Sequence, residues 1–175
     1  MKKSVILLFL FALSTLSACS YDKNEVKDSP IYEGGELTIG VVGEAPTVRE
    51  ENIVFNNIEL GDLHSANLFK EYSAVFIMKA YLTEAAKAPF AKIYKDAGIP
   101  FFFIESKKSY VPFIHEETDY EEFPDSESGD YATGLYQSGE QGTFWGYGLY
   151  NDTVNETNIL DIYSRIFKTI DNIED

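Results

Sequence analysis

Short apolar segments recur along the middle of the chain at the spacing of strands in a buried sheet. The run Leu37–Val42 is rich in β-branched residues and predicts the first strand, and a weaker strand is predicted at 53–55. The runs 74–78 and 99–104 are apolar at almost every position, which is typical of strands that are covered on both faces. We therefore expect a sheet with helices on both sides.

Stretches of helical character separate these strands. One helix is predicted to begin at Gly61 and end near Lys70, and a second is capped by Thr83 and stopped by Gly98. Pro89 lies inside the second helix and should kink or divide it, because proline has no N–H to donate. The alternation of strand and helix predicts an α/β fold with a mostly parallel, three-layer core of the Rossmann or flavodoxin type.

The last third of the chain predicts elements at the margin of this sheet. We expect a short edge strand at 110–114 and a peripheral β-hairpin built from 131–136 and 143–150. A C-terminal amphipathic helix follows, where Thr153 and Glu156 have the spacing of a capping box. Its core-facing stripe consists of apolar residues at helical spacing, namely Ile159, Ile162, Tyr163, Ile166, Phe167, Ile170 and Ile173.

The first 19 residues have the pattern of an export signal. Lys2 and Lys3 are followed by Val5–Leu13, an apolar run too short to span a bilayer, and then by Leu16-Ser17-Ala18-Cys19. This stretch resembles the lipobox signal peptide of bacterial lipoproteins. The resemblance implies a signal peptide at 1–18, a diacylglyceryl group on Cys19 and usually an acylated new amino terminus. It also implies that the protein is held by lipid on the extracytoplasmic face of the cell membrane.

Cysteine usage and composition agree with this interpretation. Cys19 is the only cysteine, so the chain has no internal disulfide, and lipidation would remove this thiol as a nucleophile. Residues 19–35 are polar, lack periodicity and end in a glycine pair, which predicts a lipidated tether. A flexible segment of this length has a reach of roughly 20–25 Å. We expect a single α/β domain over 36–175.

The charge excludes some partners. The chain carries a net charge of −15, and removal of residues 1–18 leaves 12 basic residues against 29 acidic ones, a charge of −17. Such a surface repels nucleic acid and anionic lipid, so we predict no nucleic acid partner and contact with the membrane only through Cys19. Cationic partners and divalent metals are compatible with it.

Candidate ligand residues follow from the predicted topology. In an open parallel sheet, ligands bind beyond the carboxyl ends of the strands where the strand order reverses, between the first and third strands in a flavodoxin-like order. The residues predicted at this crevice are Glu44, Thr47, Arg49, Lys79, Tyr81, Glu105 and Lys107. Arg49, Lys79 and Lys107 would form a positive cluster for an anionic small molecule. The alternative is that these side chains pair with Glu44 and Glu105 or meet water.

The motifs of known cofactor sites are not matched. A receiver domain needs an acid after the third strand, where this chain has Met78 and Lys79. The loop 43–47 lacks the hydroxyl-rich, glycine-rich pattern of a flavodoxin phosphate loop, and Gly40 and Gly43 do not form a dinucleotide fingerprint. We therefore predict no cofactor.

The acidic segment 115–130 is a candidate for binding a divalent cation. A calcium loop counted from Asp125 would need glycine at its sixth position and glutamate at its twelfth, but the chain has Asp130 and Tyr136 there. No metal ligands are therefore assigned. A weak divalent-cation binder through 115–130 stays an alternative function.

An aromatic, glycine-rich stretch near the C-terminus has two interpretations. Trp145, Tyr147 and Tyr150 can form a stacking surface for a sugar, peptide or protein, or they can fill the core. Phe144 and Trp145 must lie on opposite faces of a strand, so one face can be core while the other is exposed.

These observations favour a membrane-anchored lipoprotein that binds a protein or small-molecule ligand in the envelope without catalysing a reaction. A second hypothesis is a hydrolase or transferase that acts on envelope material through Glu44 or Glu105 at the strand ends. We assign no catalytic residue, because carboxylates are too abundant in this chain for any one pair to be informative.

Replacing Cys19 by alanine is expected to release the protein from the membrane fraction. Each buried CH₂ group of an acyl chain contributes about 0.8 kcal/mol to membrane residence, and the variant would have no chain to bury. Cell fractionation measures the release, and mass spectrometry of the native protein should find a lipidated amino-terminal Cys19. Ser20→Ala is the matched control and should stay bound. A Cys19→Ala protein that remains in the membrane fraction would contradict the prediction.

Overall fold

The structure is a computed structural model that describes residues 24–27, 29–65, 68–116 and 118–174. The predicted signal peptide and Cys19 lie outside the described residues. Within the described ranges, no helix combines the length and the apolar character needed to cross a bilayer.

A six-stranded mixed sheet forms the centre of the fold, with the order β2-β1-β3-β4-β5-β6. The first four strands are mutually parallel, whereas β5 and β6 are antiparallel to their neighbours. The order reverses direction at β1, which lies between β2 and β3. The strands are β1 Leu37–Val42, β2 Ile53–Ile58, β3 Ala74–Ile77, β4 Phe101–Ile104, β5 Asp130–Ser138 and β6 Gln141–Gly148.

Helices cover the two faces of the sheet, which confirms the predicted α/β class. The α-helices are α1 Leu82–Ala85, α2 Ala88–Asp96, α3 Val111–Ile114 and α4 Glu156–Glu174. Short 3₁₀ segments occur at Leu60–His64, Leu68–Lys70, Lys79–Tyr81 and Tyr150–Asp152.

Each face of the sheet has its own apolar core. On one face, α4 packs on β1, β3 and β4 through residues that include Ile39, Phe76, Phe102, Ile166 and Phe167, all fully buried. On the other face, α1, α2, α3 and the first 3₁₀ segment cover a cluster that includes Val75, Ile77, Phe101, Phe103 and Tyr94. The alternation of neighbouring strand residues between the two clusters is the period of two expected of strands.

The helix expected over 61–70 is replaced by two 3₁₀ segments. Ser65 has an extended backbone, and its N–H donates to the carbonyl of Asp62, which closes the first segment after one turn. The division of the next helix at Pro89 is confirmed. Pro89 occupies the first turn of α2, where its missing N–H has no partner to lose.

The expected edge strand at 110–114 is instead the short helix α3, with Pro112 in its first turn. Proline suits that position as well as it suits a sheet edge, so the residue alone did not discriminate between the two. The hairpin extends the sheet because β5 pairs with β4. Its two-residue turn places Gly139 at φ +59°, a conformation that favours glycine.

The apolar stripe of α4 is confirmed, but its cap is not the predicted one. The N–H of Asn158 donates to the Asn155 side chain at 2.8 Å, whereas the Thr153 hydroxyl donates to the carbonyl of Asn151. Asparagine is among the preferred N-cap residues, because its side-chain oxygen reaches the first free N–H groups of the helix.

The segment that the sequence assigned to a tether makes specific contacts with α4 from Asn24 onward. Val26 N–H donates to the side chain of the fully buried Asn158 at 2.8 Å. Further along, the Ser29 hydroxyl donates to Asp161, and Tyr32 is 3% exposed with its hydroxyl 2.9 Å from the Asp171 carboxylate. The folded unit therefore begins before residue 36.

Replacing Phe76 by alanine is expected to lower the free energy of unfolding by about 3–5 kcal/mol, because it removes a buried ring from the centre of the α4-facing core. The ring of Phe76 lies 6.2 Å from that of Phe167 with an angle of 8° between the planes. Urea unfolding measures the loss. Val154→Ala, at a residue that is 70% exposed, should change stability by no more than about 0.5 kcal/mol. Equal effects of the two substitutions would contradict the packing described here.

Candidate functional site

A cleft of about 680 Å³ opens at the carboxyl edge of the sheet, where the strand order reverses. One wall is the loop after β1, which connects β1 to the parallel strand β2 through residues 43–52 without a helix. The 3₁₀ segment after β3 and Glu105 after β4 form the second wall, and the first turns of α4 form the third.

The lining of the cleft is part apolar and part acidic. Its apolar surface comes from Ala45, Pro46, Met78, Ile159 and Leu160, with the ring of Tyr81 at the rim. Three carboxylates, those of Glu44, Glu105 and Glu156, and one ammonium group, that of Lys79, line the same cleft.

Glycine is required where the first wall begins. Gly43 follows β1 with φ +116°, and a Cβ atom at this position would lie 3.0 Å from the Cβ of Met78. A side chain would therefore strain the backbone and push the two walls apart.

Five of the residues predicted at the crevice line this cleft, namely Glu44, Thr47, Lys79, Tyr81 and Glu105. Glu44 and Thr47 are exposed, and Tyr81 is 38% exposed. The topology therefore brings together loops that are far apart in the sequence.

Lys79 and Glu105 form an ion pair within the second wall of the cleft, with 3.0 Å between Nζ and Oε2. Glu105 has φ +58°, in the left-handed region that costs a residue with a Cβ roughly 1–2 kcal/mol. Backbone strain of this kind concentrates at functional sites. The pair neutralises the ammonium group of the cleft.

Arg49 does not belong to the cleft, so the predicted positive cluster does not form. The Nη2 atom of Arg49 donates to the hydroxyls of Ser29 and Ser164 at 2.9 and 2.8 Å, on the flank of α4. Its Nε atom lies 3.8 Å from the carboxylate of Glu50, whose side chain is fully buried. A buried carboxylate is costly without a nearby cation, which explains why the guanidinium is held here.

Lys107 lies in a neighbouring depression of about 270 Å³, which shares Lys79 and Glu105 with the cleft. Asp125 and Asp130 line the same depression. Lys107 therefore faces acids rather than strengthening a cationic site.

The N-terminal part of α4 was not predicted as a wall of the site. Asn155, Glu156, Ile159 and Leu160 line the cleft, although the sequence assigned this helix only to the core. The directions of the strands could have predicted this wall. Because β5 and β6 each reverse the chain, β6 ends at the same edge as β4, and α4 begins there.

Two tyrosines lie beside the cleft in an environment that disfavours ionisation. Burial, and next the negative charge of Glu105, raise the pKa of Tyr131 to about 12, and a hydrogen bond with Tyr163 opposes the shift. Burial also raises the pKa of Tyr163, which lines the cleft although it is only 2% exposed. Both phenols therefore stay neutral at physiological pH.

The predicted aromatic surface is not assembled. Tyr147 is 5% exposed, and its hydroxyl donates to Thr169 of α4 at 2.8 Å. Trp145 packs on Phe102 with 6.1 Å between the rings, and Tyr150 alone is largely exposed. Trp145 and Tyr147 are two residues apart, so they share the face of the sheet that α4 covers.

The acidic segment 115–130 uses several carboxylates in local contacts. Asp125 lies 3.2 Å from Lys108 Nζ, and Asp130 accepts hydrogen bonds from Ser126 and Ser128. Across the residues that the structure describes, which exclude Glu117, no three His, Cys, Asp or Glu side chains gather closely enough to hold a metal ion.

Comparisons with protein-family models, with curated proteins and with solved structures find no match for this chain. Its site is therefore interpreted from its own geometry.

In the Tyr131→Phe variant, the alkaline titration of tyrosinate absorbance is expected to lack one ionisation near pH 12. A pKa raised above the ordinary value of about 10 means that the stability contributed by this group is complete below pH 10 and is lost as the pH rises toward 12. Glu105→Gln should lower the pKa of Tyr131, because it removes one of the causes of the shift.

Glu122→Gln is the control for this titration, since it makes the same charge change in the exposed acidic segment. It should leave the ionisation of Tyr131 in place. An unchanged alkaline titration in Tyr131→Phe would show that this tyrosine does not ionise in that range.

Proposed function

We propose that the protein is a lipid-anchored binding protein of the cell envelope, and that its cleft binds a small molecule bearing an amine on an apolar body. The observation that carries the proposal is the cleft at the strand-order reversal, the place where α/β sheets bind ligands. Its volume of about 680 Å³ lies within the usual range for small-molecule sites.

The charges of the lining support an amine rather than an anion. Lys79 is already paired with Glu105, so most of the positive charge that it would offer an incoming anion is neutralised. Glu44 and Glu156 take part in no ion pair within the described part of the chain. A protonated amine therefore meets two carboxylates that gain a partner, while Ile159 and Leu160 receive its apolar part.

The environment of the carboxylates favours binding over catalysis. A glutamate that acts as a general acid is usually held in an apolar pocket, so that it stays protonated near neutral pH. Glu44 is exposed, and the side chain of Glu105 is 39% exposed and ion-paired. The alternative of an envelope hydrolase or transferase therefore has less support than ligand binding.

The predicted lipobox supports the location. A lipidated Cys19 would hold the domain at the extracytoplasmic face, and a net charge of −17 keeps the domain soluble beside it.

Phenethylamine and phenylacetate provide a direct test, because they share an apolar body and carry opposite charges. With the soluble chain that starts at Ser20, phenethylamine should shift the backbone NMR signals of Glu44, Lys79, Tyr81 and Glu156. Phenylacetate should leave these signals unchanged. Glu44→Gln combined with Glu156→Gln should weaken binding roughly two- to thirtyfold, because each of the two exposed ion pairs contributes about 0.2–1 kcal/mol.

Glu122→Gln combined with Glu127→Gln removes the same number of negative charges at exposed positions away from the cleft and should leave the affinity for phenethylamine unchanged. Equal shifts with both probes, or shifts confined to residues outside the cleft, would overturn the proposal.

A further inference from the structure

We infer that the cleft opens toward the membrane that holds the lipid anchor, and that the amine it binds belongs to the headgroup of a lipid in that membrane. The inference rests on the proposed function, to which it adds the source of the ligand. It depends on where the N-terminal segment joins the domain.

The segment joins at the start of α4, next to the cleft. The carbonyl of Asn24 accepts hydrogen bonds from the side chains of Asn158 and Asn155 at 2.8 and 3.3 Å. Asn155 itself lines the cleft. Asn158 is fully buried and also bonds Val26 N–H, Tyr150 O and Thr153 O, so the junction is fixed by several hydrogen bonds.

Beyond this junction, the segment follows α4 away from the cleft. Ser29 contacts Asp161, the carbonyl of Pro30 accepts from Lys168 Nζ at 3.0 Å, and Tyr32 reaches Asp171. These partners lie progressively later in a helix of 19 residues, which is about 28 Å long. Among the described residues, the first contacts of the chain with α4 therefore lie at the carboxyl edge of the sheet, and later residues contact α4 progressively further along.

The distance from the anchor to the junction is short whatever conformation the intervening residues adopt. Cys19 precedes Asn24 by five residues, and a chain spans at most about 3.6 Å per residue, or about 18 Å in total. The full predicted tether through residue 35 would have allowed a much longer reach. A lipidated Cys19 therefore keeps the cleft rim close to the headgroup layer, while the opposite edge of the sheet faces away.

The charge of the cleft selects among headgroups. The carboxylates of Glu44 and Glu156 oppose a headgroup with net negative charge, and the acidic domain adds to that repulsion. A headgroup with a protonated primary amine supplies the cation that these carboxylates lack. The methylene groups beside the amine can pack on the apolar surface at Ile159 and Leu160, while the phosphodiester stays at the rim of the cleft in the headgroup layer.

Fluorescence quenching of the lipidated full-length protein in vesicles tests the orientation. In a Trp145→Phe background, which removes the only tryptophan, a new tryptophan is placed at Val154 on the cleft edge or at Lys95 on the opposite edge. Both positions are exposed, and neither lines the cleft. With brominated lipids, V154W should lose most of its emission and K95W should keep most of it. Equal quenching, or stronger quenching of K95W, would overturn the orientation.

Competition tests the headgroup. Vesicles of phosphatidylcholine that contain phosphatidylethanolamine should reduce the affinity of the anchored protein for phenethylamine, relative to phosphatidylcholine alone. Free phosphoethanolamine at the same bulk concentration should have little effect, because it is not concentrated at the surface. Equal affinities in the two kinds of vesicle would overturn the headgroup assignment, as would equal competition by free phosphoethanolamine. Failure of phenethylamine to bind the soluble chain would instead overturn the proposed function.

Discussion

Packing of α4 on the sheet is the interaction on which the rest of the structure depends. The connection from β1 to β2 spans residues 43–52 and contains no helix. It therefore leaves most of the face of the sheet on which α4 packs uncovered. A single helix of 19 residues therefore buries the face of the sheet opposite α1 and α2. The ring of Phe76 in β3 lies 6.2 Å from the rings of both Tyr163 and Phe167, which also contact each other. Loss of this contact would expose an aromatic surface at the middle of the sheet.

The same helix organises the polar parts of the molecule. Ser164 on the flank of α4 donates to the buried carboxylate of Glu50 and accepts from Arg49, which in turn holds Ser29 of the N-terminal segment. Arg49 therefore has a structural role in joining three parts of the chain. This arrangement removes it from the cleft and leaves the cleft with an excess of carboxylates.

The strands and helices could be predicted from the sequence because each has a local pattern of apolar residues. The site could be predicted only in part. Continuous apolar runs identify β3 and β4, and the stripe from Ile159 to Ile173 identifies α4. Pro112 fits both a helix start and a sheet edge, so that element was misassigned. The contacts of the Arg49 side chain could not be predicted, because its partners Ser29 and Ser164 are distant in sequence and belong to no recognisable motif.

The cleft and the N-terminal junction meet at one place because chain direction requires it. Three strands end at the carboxyl edge beside the cleft, and β6 returns the chain to that edge, so α4 must begin there. A segment that runs parallel to α4 and contacts Asn158 first must enter at the same edge. If Cys19 carries the proposed lipid, that anchor therefore cannot hold this domain by its opposite edge while these hydrogen bonds persist. In the proposed arrangement, sheet topology is what would place the cleft on the side of the domain that faces the membrane.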